Sequence, residues 1–320
     1  MLLTVIGALL PVVVTLLMGV VAAWHHDFQA KQATVLNRMV MLYALPMLLF
    51  AGMLAIPRHQ LTGDARLAAV IVSAMILGFF IPLLIARFLC GRDLMTSALQ
   101  ALAIGAPSVA FVGFPVLGYL FGHLAATIPV AVSGLVLNVV QIPACMILLS
   151  IGAAQNEAVQ RQAANSERKS GLDHVLSALK QPVVWAPILA FIILLLDFDI
   201  PAVIRQSLVL LGKATGGAAL FASGIVLYSR RISFSLPVGV STAARNLVIP
   251  AAVWATLAIV GLPPESTKEA VLAMAIPTSS LCVILAVQVQ TAEQEMASTL
   301  FFSTILSLPT MGVFIWLMGG

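Results

Sequence analysis

The sequence AIGAPS at Ala103–Ser108 lies inside one long apolar run, and it recurs in similar form as AMAIPT at Ala273–Thr278 inside another. Proline lacks a backbone N–H, and its ring clashes with the preceding helical turn. Each copy therefore predicts a helix that is broken near its proline, Pro107 in the first and Pro277 in the second. The same interruption in both halves of the chain indicates two related halves.

Composition identifies the solvent around these helices. Hydrophobic residues make up 61% of the chain, charged residues 9%, and the mean hydropathy is +1.09, whereas soluble domains carry about 25% charged residues. So little charge cannot cover a water-facing surface, which predicts an all-α membrane protein. The net charge of +4 does not indicate nucleic-acid binding, because most basic residues lie in short loops where they report membrane orientation.

Apolar runs long enough to cross a bilayer can be marked ten times. The predicted spans are Leu3–Trp24, Ala33–Ile56, Leu67–Leu89, Leu94–Gly122, Thr127–Ile151, Pro182–Leu196, Ala202–Leu227, Pro237–Val260, Lys268–Gln290 and Met296–Met318. The polar segment 152–181 divides residues 1–151 from residues 182–320 and reads as a solvated loop. We expect each of these two parts to hold five transmembrane helices.

Further matches follow the same order in the two parts. They pair Leu49–Ala51 with Leu220–Ala222, Phe80–Pro82 with Val248–Pro250, Gln141–Pro143 with Ser307–Pro309 and, more loosely, Pro11 with Pro187. Because five is an odd number, the second part must enter the membrane from the opposite side. The pattern predicts two inverted five-helix repeats, a common plan in secondary transporters.

Basic residues predict the orientation. Loops on one face hold Lys31, Arg38, Arg87, Arg92, Arg161, Arg168, Lys169, Lys180, Arg230 and Arg231, against Arg58, Arg66, Arg205 and Lys268 on the other. The richer face should be cytoplasmic, which places the central loop inside and both termini outside.

The interrupted helices are the predicted functional site. In span four, Gly105, Pro107, Gly113 and Pro115 predict an opened segment between Ala106 and Pro115. In span nine, Pro277 precedes Thr278, Ser279 and Ser280. The N-termini of half-helices carry partial positive charge and free N–H groups, which suit an anion. The alternative is a simple kink whose backbone is satisfied by serine and threonine hydroxyls.

Two cations lie deep in predicted spans, Lys213 in span seven and Arg245 in span eight. A cation at this depth needs a partner or water, and no span has a carboxylate near its middle. Arg245 either offsets the dipoles of the broken helices or meets an anion, and Lys213 either contacts substrate or snorkels to the interface. Asn138 and Gln141 share a face of span five, where they bridge helices or contact the ligand.

Several functions are not favoured by the sequence. Cys90, Cys145 and Cys282 show no pairing framework, so we expect no disulfide, metal or cofactor, and no acid–base set indicates an enzyme. Carboxylates nearest a span middle, Asp197 and Asp199, mark a helix end, which favours uniport of an anion over coupling through a carboxylate. A membrane sensor that binds an anion without moving it is the alternative, although a sensor needs no mirrored second half.

At these residues the sequence resembles the auxin efflux carrier family. Similarity is carried by Leu36–Arg38 with Ala44–Pro46, by Pro107–Pro115, by Arg245–Pro250 and by Pro277–Ala286. The resemblance implies crossed broken helices in a transport core of spans three to five and eight to ten, and a scaffold of spans one, two, six and seven. It also implies a carboxylate bound beside the crossing, frequent homodimers and a bacterial inner-membrane location.

Residue patterns and the resemblance together give the residues expected to contact the solute. They are Ser108, Val109, Gly113, Asn138, Gln141, Lys213, Thr278, Ser279 and Ser280, with Pro107, Pro115, Pro277 and Arg245 shaping the breaks. Ser108 stands where plant carriers have an asparagine that contacts the ligand carboxylate. The segment Lys213–Phe221 is similar to bacterial members associated with malonate. We therefore expect malonate or a similar small carboxylate as substrate.

Overall fold

The computed structural model describes residues 2–54, 65–108, 112, 117, 121, 127–162, 180–196, 200–230 and 232–318. Every regular element in these ranges is a helix. Six helices are long and apolar enough to cross a membrane: Ala30–Ala51, Ala65–Leu89, Val132–Asn156, Ala202–Ser229, Leu236–Val260 and Glu293–Leu317. Shorter apolar helices are Val13–Trp24, Leu94–Gly105 and Pro182–Leu195. The described part of the chain is thus all-helical, and its helices have the length and composition expected of a membrane protein.

The helices are numbered in chain order. The first half contains α1 (Leu2–Trp24), α2 (Ala30–Met39), α3 (Leu45–Leu54), α4 (Ala65–Leu84), α5 (Leu94–Gly105), α6 (Thr127–Val136) and α7 (Ile142–Gln162). The second half contains α8 (Pro182–Leu195), α9 (Ala202–Gly212), α10 (Ala214–Arg230), α11 (Leu236–Ala243), α12 (Ile249–Val260), α13 (Pro264–Ala275), α14 (Leu281–Val289) and α15 (Glu293–Leu317).

Among the described residues, five-residue π-helical segments lie at Val40–Ala44, Ile85–Leu89, Leu137–Gln141 and Ala244–Val248; the second ends its helix, and the other three interrupt theirs. A proline is the second residue after the first, third and fourth segments: Pro46, Pro143 and Pro250. Because a proline ring clashes with the carbonyl of the preceding turn, the wider π turn accommodates it without ending the helix. The third segment carries Asn138 and Gln141, and the fourth carries Arg245 and Asn246.

Both proline-containing stretches interrupt their helices. Helix α5 ends at Gly105, and Ala106 adopts an extended conformation. Helix α13 ends at Ala275, and α14 starts after Ser280. The break predicted in span nine is therefore confirmed. In span four, the break begins one residue after Gly105, and most of the stretch that follows Ser108 lies outside the described residues.

Two boundaries differ from the sequence expectation. Helix α7 continues to Gln162, into the segment predicted as a loop, because its alanine, glutamine and glutamate residues there favour helix. Span seven is divided at Lys213 into α9 and α10. The sequence pattern predicts one continuous helix over span seven.

Two glycines bring helices α1 and α10 into backbone contact. A Cβ atom at Gly19 would lie 2.1 Å from the Phe221 carbonyl oxygen, and one at Gly224 would lie 2.0 Å from the Leu16 carbonyl oxygen. Small residues allow such close approach in helix pairs of membrane proteins. No larger side chain fits at either position without separating the two helices.

The remaining contacts position the interrupted helices. Helix α5 packs against α4, α7 and α14, and α15 packs against α11, α13 and α14. Helix α14 also packs against α2 and α10. The short helix that follows the break therefore contacts helices from both halves of the chain.

Candidate functional site

The two interrupted segments meet and pair. Pro107 and Thr278 form an isolated antiparallel bridge. The Ser108 N–H donates to the Pro277 carbonyl at 2.9 Å, and the Ser279 N–H donates to the Ala106 carbonyl at 3.0 Å. Opened backbone in a membrane protein must be satisfied internally, and here each interrupted segment satisfies the other.

Arg245 connects the C-terminal ends of α5 and α13. Its side chain is fully buried. Nε donates to the Ile276 carbonyl at 3.0 Å, Nη1 donates to the Ile104 carbonyl at 2.9 Å, and Nη2 donates to the Met274 carbonyl. Carbonyls at a helix C-terminus carry partial negative charge. The guanidinium therefore neutralises both ends and holds them together.

Two further side chains bind carbonyls at the end of α5. Nε2 of Gln141 donates to the Met75 carbonyl at 2.9 Å and to the Gly105 carbonyl at 3.1 Å. The Thr278 hydroxyl donates to the Ala103 carbonyl at 2.6 Å. With the Arg245 bond to Ile104, this end of the helix has donors from inside the protein. An external cation is not required there.

A second polar network holds the start of the opened segment of span nine. The Thr278 N–H donates to Ser303 Oγ at 3.1 Å, and Ser303 Oγ donates to Asn246 Oδ1 at 2.7 Å. Nδ2 of Asn246 donates to the Ser303 carbonyl at 2.8 Å. Sequence reasoning assigned no role to Asn246 or Ser303. The available signal was the position of Asn246, an amide next to a buried arginine.

Ser280 differs from these satisfied groups. It is 2% exposed, and within the described part of the chain its hydroxyl has no hydrogen-bond partner. It immediately precedes α14 and lines a closed crevice with Ser108, Val112, Pro277, Thr278, Leu220, Leu300 and Thr304, too narrow to admit a water molecule. The hydroxyl of the neighbouring Ser279 accepts a bond from the Leu281 N–H at 3.3 Å. Ser280 is therefore a free polar group at a helix N-terminus.

Comparison with known proteins identifies the family. The profile of a family described as membrane transport protein matches residues 4–315. The chain belongs to this family, the auxin efflux carriers. Relatives described as the uncharacterized transporter YfdV, from Escherichia coli K12, Escherichia coli O157:H7 and Shigella flexneri, are each 31% identical over 282 residues. That alignment covers 88% of this chain and 87% of the relative.

Of the other site residues that the sequence indicated for this carrier, two lie within the described residues and three lie outside them. The Lys213 side chain is exposed at the junction of α9 and α10, and its contact with solute stays a prediction. Asn138 is half-buried, and its Oδ1 has no partner. Val109, Gly113 and Pro115 lie outside the described residues, as do Asp197 and Asp199.

An ion pair near the ends of α5 and α15 was also missed. Arg92 Nη1 donates to Glu295 Oε1 at 2.7 Å and to Gln100 Oε1 at 2.6 Å, and Nη2 donates to Glu295 Oε2. The hydrogen bond to Glu295 raises the pKa of the Arg92 guanidinium. Gln100 continues the network, since its Nε2 donates to Ser241 Oγ at 3.0 Å. The carrier thus joins its first and second halves through charge as well as through the crossing.

Proposed function

We propose that this carrier is a secondary transporter of a small organic anion, a carboxylate such as malonate, which it moves by alternating access. The proposal includes ten spans in two inverted five-helix repeats. It places the carboxylate beside the crossing, at the start of α14 and next to Ser280, Thr278 and Ser108. Membership of a membrane transport family supports movement of a solute rather than sensing.

One observation carries the choice of an anion. Around the crossing, donors inside the protein bind the backbone carbonyls Ala103, Ile104, Gly105, Met274 and Ile276. The buried Ser280 hydroxyl, at the N-terminal end of α14, has no partner. The positive end of a helix dipole and a free hydroxyl donor together suit a carboxylate. Donors of the protein therefore already neutralise the partial negative charge of these carbonyls, whereas the start of α14 is left to bind an anion.

Packing supports an alternating-access mechanism. Helix α14 contacts α5 and α15, which belong to the proposed moving part, and it also contacts α2 and α10, which belong to the proposed stationary part. Movement of α14 with α5 and α15 relative to α2 and α10 would open the closed crevice without breaking the pairing at the crossing. We propose this elevator-type movement, with spans three to five and eight to ten moving against spans one, two, six and seven.

The proposal extends to the cellular setting. It places the carrier in the inner membrane with both termini outside and the central loop inside, because basic residues concentrate in the loops on one face. It also takes the working unit as a homodimer, as the family resemblance implies.

Flux of radiolabelled malonate into proteoliposomes tests the function, after a thermal-shift screen of small mono- and dicarboxylates on purified protein. Ser280→Ala should not lower the melting temperature, because the hydroxyl that it removes makes no hydrogen bond to the described residues. It should weaken the apparent affinity for malonate about 10- to 100-fold, since a hydrogen bond to a charged group contributes about 1.5–3 kcal/mol. Ser108→Ala should also act mainly on affinity.

Ser223→Ala is the matched control. Ser223 is equally buried, but its hydroxyl donates to the Ala219 carbonyl of its own helix at 2.7 Å, so its loss should not change affinity. Saturable malonate binding without flux would support the sensor and contradict transport. Equal affinities of Ser280→Ala and the unmodified protein would place the anion elsewhere.

A further inference from the structure

A buried amide in α2 has no hydrogen-bond partner among the residues that the structure describes. Asn37 is 2% exposed, and neither Nδ2 nor Oδ1 makes a hydrogen bond. Burying an amide without replacing its bonds to water costs free energy, and most buried side-chain amides in proteins are satisfied. The unmade bonds of Asn37 therefore require an explanation.

Asn246 shows that the same fold can satisfy such a group. It is 1% exposed, yet its Nδ2 donates to the Ser303 carbonyl and its Oδ1 accepts from Ser303 Oγ. The two asparagines are matched in residue type and burial. They differ in that one is bonded within this arrangement of helices and the other is not.

Asn37 lies three residues before a π segment, whereas Gln141 and Arg245 at the crossing lie inside one. Asn37 precedes the π segment Val40–Ala44 and Pro46, and the equivalent π segments with prolines carry Gln141 and Arg245. π turns occur frequently at functional sites. In span two, however, the Asn37 amide does not bind carbonyls at a helix C-terminus, as Gln141 and Arg245 do.

Helix α2 packs against α14, the short helix that starts at the proposed anion site and ends at Val289. A solute that leaves the crossing along α14 on this side must pass between α14 and α2. In the present structure this seam is closed, because the two helices are in contact.

We propose that Asn37 lines the solute path between α2 and α14. Its amide is dry and unbonded while the seam is closed, and it donates from Nδ2 to the carboxylate, or binds water, when α14 moves away from α2. This inference rests on the proposed transport function. It adds a polar contact on the stationary side of the path, apart from the anion site at Ser280.

The first test separates this role from a structural one. Asn37→Leu removes a group without partners, so it should raise the melting temperature of the purified protein by about 2–5 °C. Asn246→Leu breaks made bonds and should lower it. A lower melting temperature for Asn37→Leu would overturn the proposal whether or not malonate is transported.

The second test measures malonate flux in proteoliposomes. Asn37→Leu should reduce the maximal rate at least about fivefold. The stabilisation that raises the melting temperature favours the closed seam, and it changes the ratio of closed to open protein about 5- to 30-fold. Unchanged flux would overturn the role of Asn37 while leaving transport intact. Absence of flux in the unmodified protein would instead contradict the proposed function, and the outcome for Asn37 is then decided by its melting temperature and by labelling.

Labelling uses Asn37→Cys in a Cys90→Ser background, because Cys90 is exposed whereas Cys145 and Cys282 are buried. A membrane-impermeant thiol reagent should modify the new cysteine from one face of the membrane, at a rate that changes when malonate is added. The Cys90→Ser protein alone is the control. A cysteine at position 37 that stays as unreactive as this control, with and without malonate, would show that the seam does not open.

Discussion

Replacing Arg245 by methionine removes the guanidinium and keeps an unbranched apolar side chain. Three hydrogen bonds are lost, to Ile104 on α5 and to Met274 and Ile276 at the end of α13. A hydrogen bond from a charged group contributes about 1.5–3 kcal/mol, so the gross loss is about 5–9 kcal/mol. The carbonyls left behind are buried and cannot bond to water instead.

Part of this loss is offset. A cation near the middle of a membrane helix costs about 2.5–3.5 kcal/mol on insertion scales, and the methionine variant no longer bears that cost. The net destabilisation should be about 2–6 kcal/mol, which corresponds to a fall of about 4–12 °C in melting temperature.

Thermal unfolding in detergent, followed by the fluorescence of the four tryptophans, measures this change at a fixed scan rate. The melting temperature of Arg245→Lys should lie between those of the unmodified protein and Arg245→Met, because a single ammonium cannot bind three carbonyls as the planar guanidinium does. Arg205→Met is the control, since Arg205 is exposed and its loss should leave the melting temperature unchanged.

An Arg245→Met protein as stable as the unmodified one would refute the reasoning. It would mean that the helix ends find other donors and that the guanidinium does not hold them together. A stable Arg245→Met protein that no longer transports malonate would assign Arg245 to the solute instead.

Two further outcomes follow from contacts between the halves of the chain. Glu295→Gln should lower the melting temperature by about 2–4 °C, since it leaves the Arg92 guanidinium without its carboxylate, and a double-mutant cycle with Arg92→Gln should show less than additive loss. Gly19→Ala should sharply reduce the yield of folded protein in size-exclusion profiles, because its Cβ would lie 2.1 Å from the Phe221 carbonyl oxygen. Gly134→Ala, whose Cβ would have no atom within 4 Å, should leave that yield unchanged; equal yields would contradict a tight contact.

The break in span nine was predictable because its cause is local. Pro277 removes a backbone donor whatever the helix packs against. The similar segments AIGAPS and AMAIPT show the interruption in both halves of the sequence. The family was predictable from the same stretches. Membrane character followed from composition alone, since it needs no knowledge of which side chains face each other.

The roles of individual polar residues were harder to predict. Lys213 and Arg245 were equivalent in the sequence as cations inside apolar runs, but one is exposed and the other fully buried. A helix that is apolar on all sides does not reveal which face is turned inward. The rotation of span seven, and its division at Lys213, therefore depends on packing with neighbouring helices.

Long-range pairs were beyond prediction for a different reason. Arg92 and Glu295 are 203 residues apart in the chain, and each is an ordinary charged residue near a helix end. Asn37 likewise shows no sign in the sequence of lacking a partner. Such features depend on distances between elements that local residue patterns do not contain.

The bond between Arg245 and Ile104 has a consequence for biosynthesis. Its donor is made 141 residues after its acceptor, so the first interrupted helix leaves the ribosome long before the group that neutralises its end exists. Until then the nascent segment must stay shielded by the insertion machinery or rest at the lipid–water boundary. Truncation anywhere before Arg245 should therefore yield a fragment that quality-control proteases remove, however apolar its helices are.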